Sequence, residues 1–312
     1  MTVNPEATEA VSHPIAVIRR AFGDPRPLAP DAVWQKPFDY DAAHLHRLAV
    51  LAPDAEADPS DLVAYALDFK YEQIQPDLFL HVLPFCLRAW HDDLTAPFGR
   101  YEGFVDELYP ALLRGNVLDE VLTPNQAAAV GDFMRAAILG RIDAQRELSF
   151  KGSKADAYAW FHALSTYGLL RGDVDKLWAA WWAADSEGRA VAAAQYASCL
   201  IYDETANPAF DAWTRERGGG PPCLWHYRGH VLEGRWRESN LEFLEGVLTP
   251  DGVRAVLDRA VARLVGHPLH DKVAAMRFHL DARTETLASR CADVRRFLAT
   301  PNEAEYSFQW TV

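Results

Sequence analysis

His226 and His230 stand four residues apart in the run PPCLWHYRGHVLEGRW, Pro221 to Trp236, which follows three consecutive glycines. On a helix, two imidazoles at this spacing lie one turn apart and can share a metal ion. The run also supplies Cys223, Trp225, Tyr227, Arg228 and Arg235, so it is the first place to expect a binding site. No glutamate follows the first histidine, which excludes the His-Glu-x-x-His pattern, and Gly229 weakens a regular helix. The competing reading is a loop whose polar groups satisfy backbone at a domain junction.

Trp178, Trp181 and Trp182 form a second constellation, spaced by three and four so that they share one helical face. Such a wall can line a pocket for an apolar or planar ligand, or it can pack one helix on another. Two carboxylate groups, His91-Asp92-Asp93 and Asp203-Glu204, each end a helix-like stretch that contains a cysteine. Negative charge at a helix C-terminus opposes the dipole, and related halves would let these ends meet as an acidic or metal-binding site. Solvated helix ends are the plainer expectation.

Local catalytic signatures are absent. The sequence holds no Walker A pattern, Gly-x-Gly-x-x-Gly, Gly-x-Ser-x-Gly or EF-hand loop, and His91-Asp92-Asp93-Leu94 does not complete an aspartate-rich Asp-Asp-x-x-Asp motif. Cys86, Cys199, Cys223 and Cys291 are far apart and never form Cys-x-x-Cys, so reduced packing cysteines are expected.

The elements that would position these residues begin with a repeated phrase. Val121-Leu-Thr-Pro124 recurs as Val247-Leu-Thr-Pro250, and each copy opens a helix-like stretch expected to end at a glycine, Gly140 or Gly266. Thr123 and Thr249 are good N-caps, Pro124 and Pro250 suit the first helical position, and Gln126 completes a capping box. The buried stripes do not coincide, because Phe133 and Ala137 align with Arg259 and Arg263. The phrase therefore reads as an internal duplication with rotated faces, or as one helix-start signal used twice.

Helical periodicity covers nearly the whole chain. Helices are expected over Pro14–Phe22, Asp41–Leu51, Ser60–Tyr71, Pro76–Leu94, Gly103–Leu113, Pro124–Leu139, Lys154–Leu170, Val174–Ala184, Glu187–Tyr202, Glu238–Leu248, Pro250–Val265 and His270–Leu298, with a strand-like pattern only at Tyr306–Val312. The fold class is all-α: helical hairpins stacked as an irregular helical repeat, either a HEAT-like solenoid or a compact multi-helix domain. Polar Glu147–Ser153 separates an acidic N-terminal helical half, 1–150, from a C-terminal half, 151–312, with its Gly/Pro-rich loop at 218–222.

Charge narrows the partners. The net charge of -13 is concentrated in residues 1–150, which carry 12 Lys and Arg against 23 Asp and Glu. Such a surface repels nucleic acid and anionic membranes and attracts basic partners. No stretch reaches the roughly 18 apolar residues of a membrane span, and the first residues lack a signal-peptide order, so the cytoplasm is the expected compartment. Two functions follow as expectations. One is a non-catalytic helical-repeat interaction or scaffold protein, presenting acids such as Asp92, Asp93, Asp106 and Glu107 to a protein partner. The other is an enzyme or ligand-binding protein with an aromatic-lined pocket between helices, metal-dependent through His226 and His230. No particular cofactor is implied.

Overall fold

The computed structural model describes residues 14–23, 26–34, 43–53, 55–71, 74–95, 108, 111–112, 117–148, 173–202, 207–210 and 237–299. Among them are twelve α-helices and no strand: α1 (Pro14–Phe22), α2 (Ala43–Ala49), α3 (Pro59–Tyr71), α4 (Pro76–Thr95), α5 (Val117–Glu120), α6 (Pro124–Asp143), α7 (Val174–Trp182), α8 (Glu187–Ile201), α9 (Glu238–Val247), α10 (Pro250–Arg263), α11 (His270–Asp281) and α12 (Thr284–Ala299). The chain is an all-helical, multi-helix protein, and among the described residues no helix is long and apolar enough to cross a membrane. It divides into two compact units, Met1–Ala137 and Ile138–Val312. The division falls inside α6, ahead of the polar segment Glu147–Ser153.

In the first unit α4 is the central element. Leu78, Phe79, Val82, Leu83, Phe85, Cys86, Leu87, Ala89 and Trp90 are all buried along it. So many apolar positions exceed one stripe, which is the pattern of a helix covered on several sides. Its neighbours bring Ile18 from α1, Leu45 and Leu48 from α2, and Leu62, Tyr65 and Phe69 from α3. The polar groups inside this unit have specific tasks. Buried Gln75 accepts from the Trp34 N–H (2.9 Å) and donates to the Ala32 carbonyl (2.9 Å), which fixes the short 3₁₀ segment there. Asp61 receives both Nε and Nη2 of Arg47, at 2.8 and 2.6 Å.

His81, also buried, lies 3.0 Å through Nε2 from the Leu48 carbonyl near the end of α2. A carbonyl only accepts, so Nε2 carries the proton and Nδ1 is a buried lone pair without a hydrogen-bond partner among the described residues. Burial lowers the His81 pKa below its ordinary 6.5. The unfolded chain therefore takes up a proton at this residue before the folded chain does. Stability will fall as pH drops below about 6.5, by at most about 1.4 kcal/mol per pH unit, until the depressed native pKa is passed. Urea unfolding measured from about pH 7 to about pH 5 will show this component in the wild type. His81→Gln, which keeps a donor toward Leu48, will lack it.

The second unit is built around α8, in which every residue from Ala190 to Ile201 is buried. Alanines at 190, 192, 193, 194 and 197 let other helices approach its backbone closely, and α7, α10, α11 and α12 do so. Ser186 caps its start by accepting from the Arg189 N–H. Its last carbonyls receive arginines: Arg283 reaches Ile201 (3.4 Å) and Arg290 reaches Leu200 (3.2 Å) and Tyr202. On the surface, Arg254 and Arg277 bridge α10 and α11 through Asp281 and Asp258.

Both Thr-Pro helix starts form where the sequence places them. The Thr123 N–H donates to Gln126 Oε1 (3.0 Å) and the Gln126 N–H faces Thr123 Oγ1 (3.4 Å), a reciprocal capping box. Thr249 Oγ1 accepts from the Gly252 N–H (3.0 Å). Gly252 replaces the glutamine for a steric reason: a Cβ there would sit 2.1 Å from the Val247 carbonyl oxygen. The ends differ from expectation. Gly266 adopts φ +83° just beyond the cap of α10 and stops it, whereas Gly140 stays helical within α6 and the helix runs on to Asp143. The single helix expected over His270–Leu298 is two, α11 and α12, because the chain turns at Ala282 and Arg283, where Arg283 contributes to the end of α8. The stripes are indeed rotated: Phe133 is buried, while aligned Arg259 is exposed and donates to the Trp182 carbonyl at the end of α7 (2.9 Å). Lys154–Leu170, most of Gly103–Leu113 and Tyr306–Val312 lie outside the described residues.

Candidate functional site

A cleft of about 230 Å³ opens on the first unit, lined by Glu56, Ala57, Leu62, Phe85, Arg88, Ala89 and Asp92. Four of these come from α4 at positions i, i+3, i+4 and i+7, which is one helical face. The opposite wall is the start of α3 and the connection before it. That connection is ordered locally: the Ser60 N–H and hydroxyl both bond Asp58 Oδ1, at 2.8 and 2.5 Å, and the Leu62 N–H bonds the Asp58 carbonyl. The Ser60 bonds lower the Asp58 pKa, so its carboxylate stays charged. Arg88 Nη1 donates to the Ala55 carbonyl (3.3 Å) and ties the same connection to α4.

Leu62, Phe85, Ala57 and Ala89 lie at its base and are themselves buried, Leu62 to 1% and Phe85 to 3% exposure, and Glu56, Arg88 and Asp92 complete the lining. Asp92 is one of the acids singled out in the sequence. Among the described residues its carboxylate meets His91 Nδ1, at 3.4 Å, and its side chain is 40% exposed. Arg88, Glu56 and Phe85 were not legible as site residues. The spacing of Phe85, Arg88, Ala89 and Asp92 was the available signal, but a helical face becomes a cleft only when its opposite wall is known.

The three tryptophans of α7 are placed otherwise. Trp178, Trp181 and Trp182 are all buried, with ring centroids 5.0 to 6.3 Å apart, and Tyr196 of α8 stands edge-on to Trp178 (5.5 Å) and Trp181 (5.4 Å). Edge-to-face contacts at these distances are those of a packed aromatic core. Trp178 Nε1, Trp182 Nε1 and Gln195 Nε2 are nonetheless buried donors with no hydrogen-bond partner among the described residues. Trp225, His226, Tyr227, Arg228 and His230, with the whole Pro221–Trp236 run, lie outside the described residues, as do Asp203 and Glu204.

Among the described residues no group of three or more His, Cys, Asp or Glu side chains is placed to hold a metal ion. Cys86, Cys199 and Cys291 are buried and form no disulfide among the described residues. Burial pushes the Cys291 thiol up to about 12 and the Cys86 thiol higher still, so neither is a nucleophile at neutral pH. One polar pair stands apart from the cleft: the Tyr202 hydroxyl and His279 Nδ1 are 2.8 Å apart, with the Arg283 guanidinium 5.2 Å from the tyrosine ring. Burial raises the Tyr202 pKa more than Arg283 lowers it, so the phenol stays protonated and acts as a donor. Comparison with protein-family models, with curated proteins and with solved structures returned no match.

Proposed function

We propose that the chain is a non-catalytic helical interaction protein of the cytoplasm whose acidic N-terminal half binds a basic protein partner. The observation that carries this reading is the uneven distribution of charge along the chain. In the second unit Asp173, Asp251, Asp258, Asp281 and Asp293 each pair with a Lys or Arg. Pairs form in the first half too, as Asp61 with Arg47 and Asp132 with Arg135, but there 23 acids stand against 12 bases. A surface of one sign steers association and fixes partner choice more than it sets affinity.

Affinity purification from the source cells tests this with the wild type and the variant Asp106→Asn, Glu107→Gln. A basic protein is expected with the wild type at about 0.1 M salt and lost at about 1 M, where the screening length has shrunk from ~10 to ~3 Å. The variant is expected to lose it at both. A partner retained equally by the variant would remove the acidic half from the mechanism.

The ligand-pocket reading keeps one supporting observation, the buried indole and amide donors of Trp178, Trp182 and Gln195 that have no partner among the described residues. A bound molecule rich in acceptors would satisfy them. Metal dependence through His226 and His230 has no comparable support.

A further inference from the structure

Trp34 is the exception among the described tryptophans. Trp90, Trp178, Trp181 and Trp182 are all buried, whereas Trp34 stands 46% exposed on the first unit. Its backbone is nevertheless fixed. Buried Gln75 receives the Trp34 N–H and donates to the Ala32 carbonyl, both at 2.9 Å, so one side chain grips the main chain on either side of Val33, which is itself buried. The Leu28 N–H bonds the Ala49 carbonyl and ties the same segment to the end of α2. An indole carried on a fixed backbone has little freedom left to lose when a partner covers it.

Two carboxylates from different elements adjoin this clamp in the chain. Asp31 lies in the 3₁₀ turn Pro30–Ala32, next to Ala32, and Asp77 lies in the first turn of α4, two residues after Gln75. Both are exposed. Asp77 accepts from the adjacent Leu78 N–H (2.9 Å), but among the described residues neither carboxylate pairs with a cation, and no cation or ring stacks on Trp34.

We propose that Trp34 is the docking point for an arginine side chain of the basic partner, with its guanidinium on the indole face and Asp31 and Asp77 beside it. The identity of the partner rests on the reading above, whereas the site rests on Trp34 and its clamp. An apolar partner residue would cover the indole and leave the nearby carboxylates uncompensated; a cation meets both. Arginine is favoured over lysine because its planar, weakly hydrated guanidinium stacks on an aromatic face and still has donors for carboxylates. Tryptophan and arginine are also the residues in which interface energy concentrates.

The test is a titration of the full chain with a labelled, end-capped peptide of alternating glycine and arginine at about 0.15 M salt, beside the same peptide with citrulline in place of arginine. Trp34→Ala should weaken binding of the arginine peptide by about two- to fivefold, the size of a solvent-exposed cation–π contact, and Trp34→Phe by less. Asp31→Asn with Asp77→Asn should also weaken it, and the citrulline peptide should bind far more weakly and without dependence on Trp34. Cooperative thermal unfolding should be retained, since all three side chains are exposed. Arginine-peptide binding that is absent up to about 10 mM, or unchanged in Trp34→Ala, would overturn the proposal. So would a citrulline peptide that gains as much from Trp34, because the contact would then be merely apolar. In the affinity purification, a basic protein retained equally by Trp34→Ala would overturn this inference and leave the partner reading standing. Capture of no basic protein would remove that reading, and the peptide titration would still decide the site.

Discussion

Trp181→Ala will lower the stability of the second unit by about 3–5 kcal/mol, the range for deleting a fully buried large aromatic. Trp181 is fully buried and packs on Trp178, Trp182 and Tyr196. The neighbouring α8 is alanine-rich and packed by further helices, so it has little freedom to collapse into the space left behind. Urea unfolding followed by tryptophan fluorescence and circular dichroism measures the loss. A decrease below about 1 kcal/mol would show that the site relaxes freely and that the cluster is not a rigid core. Trp178→Phe and Trp182→Phe give the complementary result. Each removes a buried N–H that has no acceptor among the described residues, which offsets part of the cost of the smaller ring, so each should cost clearly less than Trp181→Ala. A larger loss, present in protein as purified and absent after unfolding and refolding, would mean that a bound acceptor had been satisfying these indoles, and would favour the ligand-pocket reading.

The local rules written in the sequence carried far into the structure, and the tertiary ones did not. Thr123, Gln126 and Thr249 specify helix starts because a cap needs only neighbours in sequence, and the capping box forms as its spacing requires. Periodicity places α1, α4, α8 and α10 within a few residues for the same reason. Gly140 shows where that logic stops. A glycine ends a helix only if the chain is turned there, and in α6 nothing turns it before Asp143. The split between α11 and α12 was invisible because Arg283 is used by the end of α8, a contact 82 residues away in sequence. The same limit governs the site. Arg88 and Asp92 look like ordinary surface residues of α4 until Glu56 and Leu62 supply the opposite wall. Trp178, Trp181 and Trp182 were visible as a wall, but only three dimensions show that Tyr196 stands against two of them.

Gly188→Ala will destabilise the second unit by about 3 kcal/mol or more, at the upper end of overpacking effects. On a helix, exchanging glycine for alanine ordinarily gains about 1 kcal/mol. Here the added Cβ would lie 2.0 Å from the Asp143 carbonyl oxygen, 2.4 Å from its carbon and 2.8 Å from its Cα, all backbone atoms. Backing away is opposed by a clamp on the same residue. Ser186 Oγ donates to Asp143 Oδ1 at 2.5 Å, and Arg189 Nη2 donates to Oδ2 at 3.0 Å. Arg189 Nε is also 3.0 Å from Oδ1, an ion-pair distance without hydrogen-bond alignment. The turn ahead of α8 is constrained as well: Ala184 holds φ 51°, a left-handed conformation that is costly for alanine, and Arg189 Nη1 bonds the Ala180 carbonyl. Separating Asp143 from Gly188 therefore means breaking the Ser186 and Arg189 contacts together. Gly140→Ala is the control, one turn earlier on α6, with nothing within 4 Å of the new Cβ. It should stabilise by about 0.5–1 kcal/mol through helix propensity alone. Thermal and urea unfolding of the two variants should thus move in opposite directions from the wild type. If Gly188→Ala instead matched Gly140→Ala, the close docking of the end of α6 on the start of α8 would be wrong, and with it the frame that holds α7 and its aromatic cluster against α8.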